Sequence, residues 1–262
     1  MSLKSVLIEA LASEMFEVFR SHHLKQEAKI DLSLLSLAEA YEAQARALAS
    51  RERAGERIVG WKVGCTSRAI RRQFGLSQPI SGRLLEPHIH PNGSSLAIAD
   101  YVNCAIEPEM VVRLGKDLGG NADERTAAEA IASVAPGIEI HHYRFWFGSP
   151  TSQELIASNG IHAALVVGPE QQFRQEVDLA IEGVEVWVNG QLRASGTGAE
   201  IMDGGPLISL CWLARHAYER GKILRAGDLI IPGSAVRLIR LKAGDRIEAR
   251  FTQLGKCTAV VI

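Results

Sequence analysis

Apolar residues recur at helical spacing through the first part of the chain. They are four positions apart in the series Leu7, Leu11, Met15 and Phe19. This spacing predicts one face of an amphipathic helix. A second helix is predicted after Ser36, because Ser36-x-x-Glu39 has the form of a capping box in front of another apolar stripe. A short third helix is expected from Ser67 to Phe74.

Strand-like patterns dominate later in the chain. After a first strand at 58–64, strands are predicted at about 106–114, 137–142, 161–167, 181–188, 191–196, 228–232, 245–252 and 256–262. Asn189-Gly190 suits the positive φ angles of a hairpin turn between two of them. Further helices are predicted at about 123–134 and 206–220, and the segment 78–95, rich in proline, is predicted to be mostly loop.

Runs of strands with few helices between them argue against a doubly wound parallel sheet. We therefore predict an α+β fold with a mainly antiparallel β-roll or sandwich core. A helical N-terminal part is expected over residues 1–85, and a β-rich catalytic domain over residues 86–262.

Composition and charge argue against several classes of function. The net charge of −1 gives no electrostatic footprint for nucleic acid, and no apolar run reaches the roughly 18 residues of a membrane span. The four cysteines are scattered without a C-x-x-C pair, which indicates free thiols in a reducing cytoplasm.

Carboxylates interrupt two of the predicted strands. Glu107 and Glu109 are two residues apart, so they project from the same face of an extended chain, and Glu139 stands among apolar residues in Gly137–Ile140. A solvated strand face is one interpretation. The other is a site for a hard divalent cation, because adjacent buried carboxylates repel unless a cation compensates them. Pro108 favours the second, since it predicts a strand edge or bulge.

Lys62 is a lone cation in an apolar strand. It is either an edge lysine that reaches water or a charge partner of the acidic residues that moves protons. Histidines are weaker candidates. One residue of the pair His141 and His142 is expected to face solvent, and His88 and His90 are expected to lie in a loop.

The chain resembles a known enzyme family in several stretches. Residues 60–67 (GWKVGCTS) resemble the G-x-K-x-G-x-T-S opening of the 2-keto-4-pentenoate hydratases and 4-oxalocrotonate decarboxylases. Residues 106–109 (IEPE) and 138–140 (IEI) resemble the acidic strands of that family, and residues 226–234 (AGDLIIPGS) resemble its A-G-D-x-I-x-x-G stretch. The resemblance covers nearly the whole chain and extends to the wider fumarylacetoacetate hydrolase superfamily.

The resemblance implies a set of functional residues. Mg²⁺ or Mn²⁺ would be held by Glu107, Glu109 and Glu139. Lys62 would be catalytic, and Asn159 and Ser234 would contact the substrate, a small 2-oxo or 2-hydroxy dienoic acid. The resemblance also implies a homo-oligomer. It implies no nucleic acid partner and no membrane partner.

Two reactions stay open from the sequence. Hydration of a 2-hydroxy-2,4-dienoate to a 4-hydroxy-2-oxo acid is favoured, and decarboxylation of a 4-oxalocrotonate is the alternative. Hydrolysis of an acylpyruvate and a non-catalytic, metal-stabilised subunit are further interpretations. The chain departs from the hydratases at Ile80, where an acid usually follows the Gln-Pro pair, and at Ser158–His162, where they tend to have D-N-A-S-S.

Overall fold

The structure, a computed structural model, describes residues 2–22, 34–143 and 150–262. The α-helices are α1 (Leu3–Ser21), α2 (Leu37–Arg53), α3 (Arg68–Gln73), α4 (Glu124–Ala130), α5 (Ser152–Ala157) and α6 (Pro206–Tyr218). Short 3₁₀ turns lie at Glu86–His88, Ile98–Asp100, Asn159–Ile161 and Gly198–Asp203.

The strands form two sheets. They are β1 (Ile58–Gly64), β2 (Ile80–Leu85), β3 (Ile89–Pro91), β4 (Ser94–Leu96), β5 (Cys104–Leu114), β6 (Ile131–His142), β7 (His162–Val167), β8 (Gln171–Gln172), β9 (Gly183–Val188), β10 (Gln191–Thr197), β11 (Leu229–Ile231), β12 (Ile239–Arg240), β13 (Arg246–Phe251) and β14 (Gly255–Val261). The larger sheet has the order β2-β1-β11-β5-β6-β7-β3, with β12 added beside β5 and β8 beside β6. The smaller sheet has the order β10-β9-β13-β14-β4.

Most strand pairs are antiparallel, including the long β5–β6 ladder at the centre of the larger sheet. The pairs β1–β11, β3–β7 and β4–β14 are parallel. The predicted α+β class, with N-terminal helices and a mainly antiparallel core, is confirmed.

The main hydrophobic core includes apolar side chains from both sheets. Even-numbered residues of β5, such as Ile106 and Met110, are buried in it together with Val186 of β9 and Ala249 of β13. Because side chains alternate along a strand, the odd-numbered residues of β5 project from the other face of the larger sheet. That face carries the acidic residues.

The N-terminal helices pack beside β2. The capping box predicted at Ser36 is present at the start of α2, with the Ser36 and Glu39 side chains each receiving a backbone N–H. Further along α2, the Gln44 amide donates to the backbone oxygens of Ser81 (2.9 Å) and Ile156 (2.7 Å). These hydrogen bonds tie α2 to β2 and α5, next to the face that carries the acidic residues.

Two local predictions are wrong. The helix predicted at 123–134 ends at Ala130, and Ile131 already begins β6. The β5–β6 pairing extends as far as Leu114 and Ile131, and this pairing outweighs the helical pattern of the sequence after Ala130. The segment predicted as mostly loop contains β2, because Ile80 to Leu85 pair with β1 along its length.

The division predicted at residue 85 stays a prediction. Strands β1 and β2 precede it, yet both belong to the larger sheet. Within the described parts of the chain, none of the helices combines the length and the apolar character that a bilayer crossing requires.

Candidate metal centre

Three carboxylates meet on the face of the larger sheet opposite the main core. Glu107 of β5 lies directly across from Glu139 of β6, and Glu109 lies across from Gly137. Glu109 is 1% exposed and Glu139 0%, whereas Glu107 is partly exposed. The solvated-face interpretation therefore fails for two of the three. We call Glu107, Glu109 and Glu139 the carboxylate cluster.

A gap in the sheet lies beside this cluster. On one side of β5, β12 pairs with Ala105 and Ile106, and β11 pairs with Val112 and Arg113. Pro108 falls between them, at a local edge of the kind predicted from its missing N–H. The turn after β11 lies at this gap, where Gly233 contacts Glu109 of the carboxylate cluster.

Glu109 has one anchored oxygen and one unpaired oxygen. The Gly233 N–H donates to its Oε2 over 3.1 Å, while its Oε1 is buried without a hydrogen bond in the described structure. Burial, and then the negative charges of Glu139 and Glu107, hold the pKa of Glu109 well above its usual range. Such a group is stabilised when a cation binds next to it.

Glu139 shows the same division between its two oxygens. Its Oε1 lies 3.1 Å from Lys62 Nζ and 2.8 Å from His162 Nδ1, while its Oε2 is buried without a hydrogen bond among the described residues. Burial opposes ionisation, but the charges of His141 and Lys62 and the contact with His162 hold the pKa of Glu139 below its usual range.

Lys62 is 2% exposed, so it is not an edge lysine that reaches water. Its Nζ also lies 3.3 Å from the Gly160 carbonyl oxygen. Burial alone lowers the pKa of Lys62, but the charges of Glu139, Glu107 and Glu109 outweigh burial and raise it. Lys62 therefore lies beside the carboxylate cluster as its charge partner, and its role in moving protons stays a prediction.

Two glycines leave room for the Lys62 side chain. A Cβ on Gly82 would lie 3.0 Å from Lys62 Cγ and 2.7 Å from Asn159 Oδ1. A Cβ on Gly160 would lie 3.2 Å from Lys62 Nζ, and the φ of +64° at Gly160 also favours glycine. The backbone therefore closes tightly around the lysine.

Both members of the His141–His142 pair are buried, so the prediction that one faces solvent is wrong. His141 Nε2 lies 3.2 Å from Glu107 Oε2 and 3.4 Å from Glu139 Oε2. His142 projects from the other face of β6, where its Nδ1 accepts the Val102 N–H.

Sequence reasoning missed His162 and assigned little weight to His141. His162 is buried opposite His141 in the β6–β7 ladder, and burial lowers its pKa to about 4. The sequence did offer one signal for His141: it is two residues from Glu139, so both side chains project from the same face of a strand. Only the β6–β7 register brings His162 to the cluster.

The two predicted substrate contacts have different surroundings. Asn159 Oδ1 accepts the Arg83 N–H over 2.6 Å, and its Nδ2 donates to the Arg83 carbonyl over 2.8 Å, so the amide joins the segment before β7 to β2. Ser234 follows Gly233 directly, and its Oγ accepts the Val236 N–H. The substrate-binding role of both residues stays a prediction.

The donor set fits a divalent cation. Glu107, Glu139 and His141 each offer one ligand atom, and these atoms lie within 4.8 Å of one another. Buried carboxylate oxygens without partners on Glu109 and Glu139 add unmet acceptor capacity at the same place. Carboxylate oxygens are the ligands that Mg²⁺ and Mn²⁺ accept.

Comparison with known proteins gives a consistent family match. The model of the fumarylacetoacetate (FAA) hydrolase C-terminal domain matches residues 87–262. The chain is 34% identical over 221 residues to a 4-oxalocrotonate decarboxylase of Pseudomonas sp, covering 84% of this chain and 85% of the relative. It is 29% identical over 254 residues to a 2-hydroxyhexa-2,4-dienoate hydratase of Comamonas testosteroni, covering 96% of each.

A solved structure matches the whole described fold. It is the 4-oxalocrotonate decarboxylase from Pseudomonas putida G7 complexed with magnesium and adipate, with a TM-score of 0.93 and 28% identity. The match covers 100% of this chain and 99% of that chain.

Proposed function

The chain belongs to the fumarylacetoacetate hydrolase family, and from that premise we propose that it is a divalent-metal-dependent lyase acting on a 2-hydroxy-2,4-dienoate. The reaction we favour is addition of water, which gives a 4-hydroxy-2-oxo acid. Relatives that match over most of their length include a 4-oxalocrotonate decarboxylase and a 2-hydroxyhexa-2,4-dienoate hydratase.

The carboxylate cluster would hold Mg²⁺ or Mn²⁺ through Glu107, Glu109 and Glu139. A divalent cation there supplies an electrophile for the carboxylate and the 2-oxygen of the substrate. Glu107 is the only partly exposed member of the cluster, so the substrate would approach from its side. A family relative solved with magnesium and the dicarboxylic acid adipate supports this type of centre.

The buried Lys62–Glu139 ion pair is the observation that carries the proposal. Three carboxylates and one divalent ion leave one excess negative charge, which bulk solvent can compensate at an exposed structural site but not at this buried one. The Lys62 ammonium, 3.1 Å from Glu139 Oε1, would offset that charge, and in our proposal it gives a proton to the dienol carbon chain and takes one back. Positioned proton transfer of this kind contributes about 10²–10⁴-fold in rate.

Decarboxylation is the second candidate, and Ile80 favours it. A Cβ on Gly160 would lie 3.2 Å from Lys62 Nζ and 3.6 Å from Ile80 Cδ1, so this apolar side chain lies next to the amine. Ile80 has no polar atom with which to orient an attacking water. Loss of CO₂ needs no added water, and a cation held by the carboxylate cluster would supply the electrophile for the electrons that it leaves.

Product analysis distinguishes the two reactions. Purified protein with Mg²⁺ or Mn²⁺ is mixed with 2-hydroxypenta-2,4-dienoate and, separately, with 4-oxalocrotonate. Hydration predicts loss of the dienol ultraviolet absorbance, a product heavier by one water in mass spectrometry, and no CO₂. If the protein releases CO₂ from 4-oxalocrotonate and does not hydrate the dienoate, the decarboxylase assignment replaces the hydratase assignment. Turnover of neither acid with either metal would refute the lyase proposal.

We also propose a cytoplasmic homo-oligomer. Cys65, Cys104, Cys211 and Cys257 are all free thiols, as a reducing compartment predicts. Sedimentation of the purified protein tests the oligomeric state.

A further inference from the structure

His141 occupies an unusual position for a histidine. Its side chain is 2% exposed, and neither ring nitrogen makes a hydrogen bond with the described residues. Its Nε2 nevertheless lies 3.2 Å from Glu107 Oε2 and 3.4 Å from Glu139 Oε2, at angles unsuited to hydrogen bonds. A buried imidazole usually has a partner for at least one nitrogen, so this arrangement requires an explanation.

The strand geometry fixes this position. Glu139 and His141 are two residues apart on β6, so they share a face, and Glu107 lies directly across the ladder from Glu139. The diagonal neighbour His141 therefore comes within reach of the Glu107 carboxylate. The three ligand atoms lie within 4.8 Å of one another in the strand register that the structure shows.

We propose that His141 Nε2 is a fourth protein donor to the divalent cation, which makes the centre a mixed nitrogen and oxygen site. This inference rests on the proposed metal-dependent function. Adjacent ligands of an octahedral ion bound at about 2.1 Å lie roughly 3 Å apart, close to the spacing of Nε2 from both carboxylates. A cation bound by both carboxylates would also give the Nε2 lone pair the partner that it lacks among the described residues.

The neighbouring His162 has a different task. Its Nδ1 is committed to Glu139 Oε1, the oxygen that Lys62 also contacts, while the other oxygen of Glu139 remains without a partner. His162 therefore positions the Glu139 carboxylate, in the manner of outer-shell partners that orient metal ligands. His141 faces the unpaired oxygen, which is the side open to a metal.

An imidazole donor has a consequence for metal preference. Nitrogen ligands strengthen binding of first-row transition ions, whereas Mg²⁺ prefers oxygen. The wild-type protein should therefore bind Mn²⁺ and Co²⁺ more tightly than Mg²⁺, and the ratio of Mn²⁺ to Mg²⁺ affinity should fall when His141 is replaced by leucine.

The test is pulsed electron paramagnetic resonance of Mn²⁺ added to the metal-free protein, together with calorimetric titration. We compare wild type, His141→Leu and the matched control His142→Leu, whose histidine is equally buried but projects from the opposite face. We expect a coupling to ¹⁴N in wild type and in the control, its loss in His141→Leu, and an affinity for Mn²⁺ lowered by at least about tenfold in that variant.

Each alternative result has a separate meaning. Mn²⁺ bound by wild type without ¹⁴N coupling would overturn the His141 assignment and leave the carboxylate centre intact. Failure of wild type to bind any of the three metals would overturn the proposed metal-dependent function and this inference together. If His141→Leu does not fold, wild type and His162→Leu are both labelled with ¹⁵N-histidine. Loss of the ¹⁴N signal on labelling in both proteins supports His141, and a signal that the label does not change overturns the assignment.

Discussion

Lys62 and Glu139 form a buried ion pair, with Nζ 3.1 Å from Oε1, although β11 and β5 lie between their strands in the larger sheet. Lys62 is level with Ile231, the last residue of β11. Because β11 ends at Ile231, it does not continue into the space between Lys62 and the carboxylates of the β5–β6 ladder. The short strand is therefore what allows a cation from β1 to compensate carboxylates on β5 and β6.

Replacing Lys62 by methionine should lower kcat by about 10²–10⁴-fold while metal binding is retained. Methionine keeps most of the length and the apolar contacts but removes the proton donor. Stopped-flow absorbance with the dienoate and calorimetry with Mn²⁺ measure the two effects. The exposed Lys256→Met is the control and should behave as wild type. Unchanged turnover in Lys62→Met would remove the lysine from the chemistry.

Replacing Glu109 by glutamine should abolish metal-dependent turnover without loss of the fold. Glutamine still accepts the Gly233 N–H, and it removes one of three converging negative charges. The metal-free variant should thus be at least as stable as metal-free wild type, and its affinity for Mn²⁺ should be clearly weaker. Urea denaturation and calorimetry test both points. A variant with wild-type affinity would exclude Glu109 from the metal centre.

Metal removal should destabilise the protein. Metal that binds only the folded chain adds about 2.7 kcal/mol to the free energy of unfolding at a concentration 100 times its Kd. Adding a chelator should accordingly lower Tm, and excess Mn²⁺ should restore it. The same titration on Glu109→Gln should produce a much smaller shift. Equal shifts in both proteins would place the stabilising ion elsewhere.

Replacing Asn159 by alanine should cost about 1–3 kcal/mol of stability, because two part-buried hydrogen bonds to the Arg83 backbone are lost. Asparagine also tolerates the φ of +59° at this position. Denaturation curves measure the stability, and KM measures any substrate contact. A raised KM with unchanged stability would instead support the role in substrate binding.

His216 should make the protein sensitive to acid. Burial, and then the charge of Arg220, lower the pKa of His216 to about 4 in the folded chain. The unfolded chain binds this proton below about pH 6.5, so the contribution of His216 is present above that pH and falls as pH drops towards 4. The loss between pH 7.5 and 5.5 should be about 1 kcal/mol.

The variant His216→Leu isolates that effect from other buried histidines. Leucine keeps an apolar side chain against Trp212 and Tyr41, which the His216 ring contacts in the wild type. Its free energy of unfolding should drop less than that of wild type over the same pH interval. Parallel losses in the two proteins would assign the acid sensitivity to other groups.

Local patterns were sufficient for much of the fold. The capping box at Ser36 and the hairpin turn at Asn189-Gly190 both form as predicted, because their signals lie within a few neighbouring residues. The helix predicted past Ala130 failed for the opposite reason. There the long β5–β6 ladder, formed with distant residues, outweighs the local helical preference.

By itself the sequence determined that Glu107 and Glu109 share one face, because alternation along a strand is a property of the backbone alone. It could not determine that Glu139 lies opposite Glu107, that Lys62 reaches the same point, or that His141 and His162 join them. Those relationships depend on strand register and on the early end of β11. Tertiary packing also decided that this face is buried, and burial is what turns a set of acidic side chains into a place for a cation.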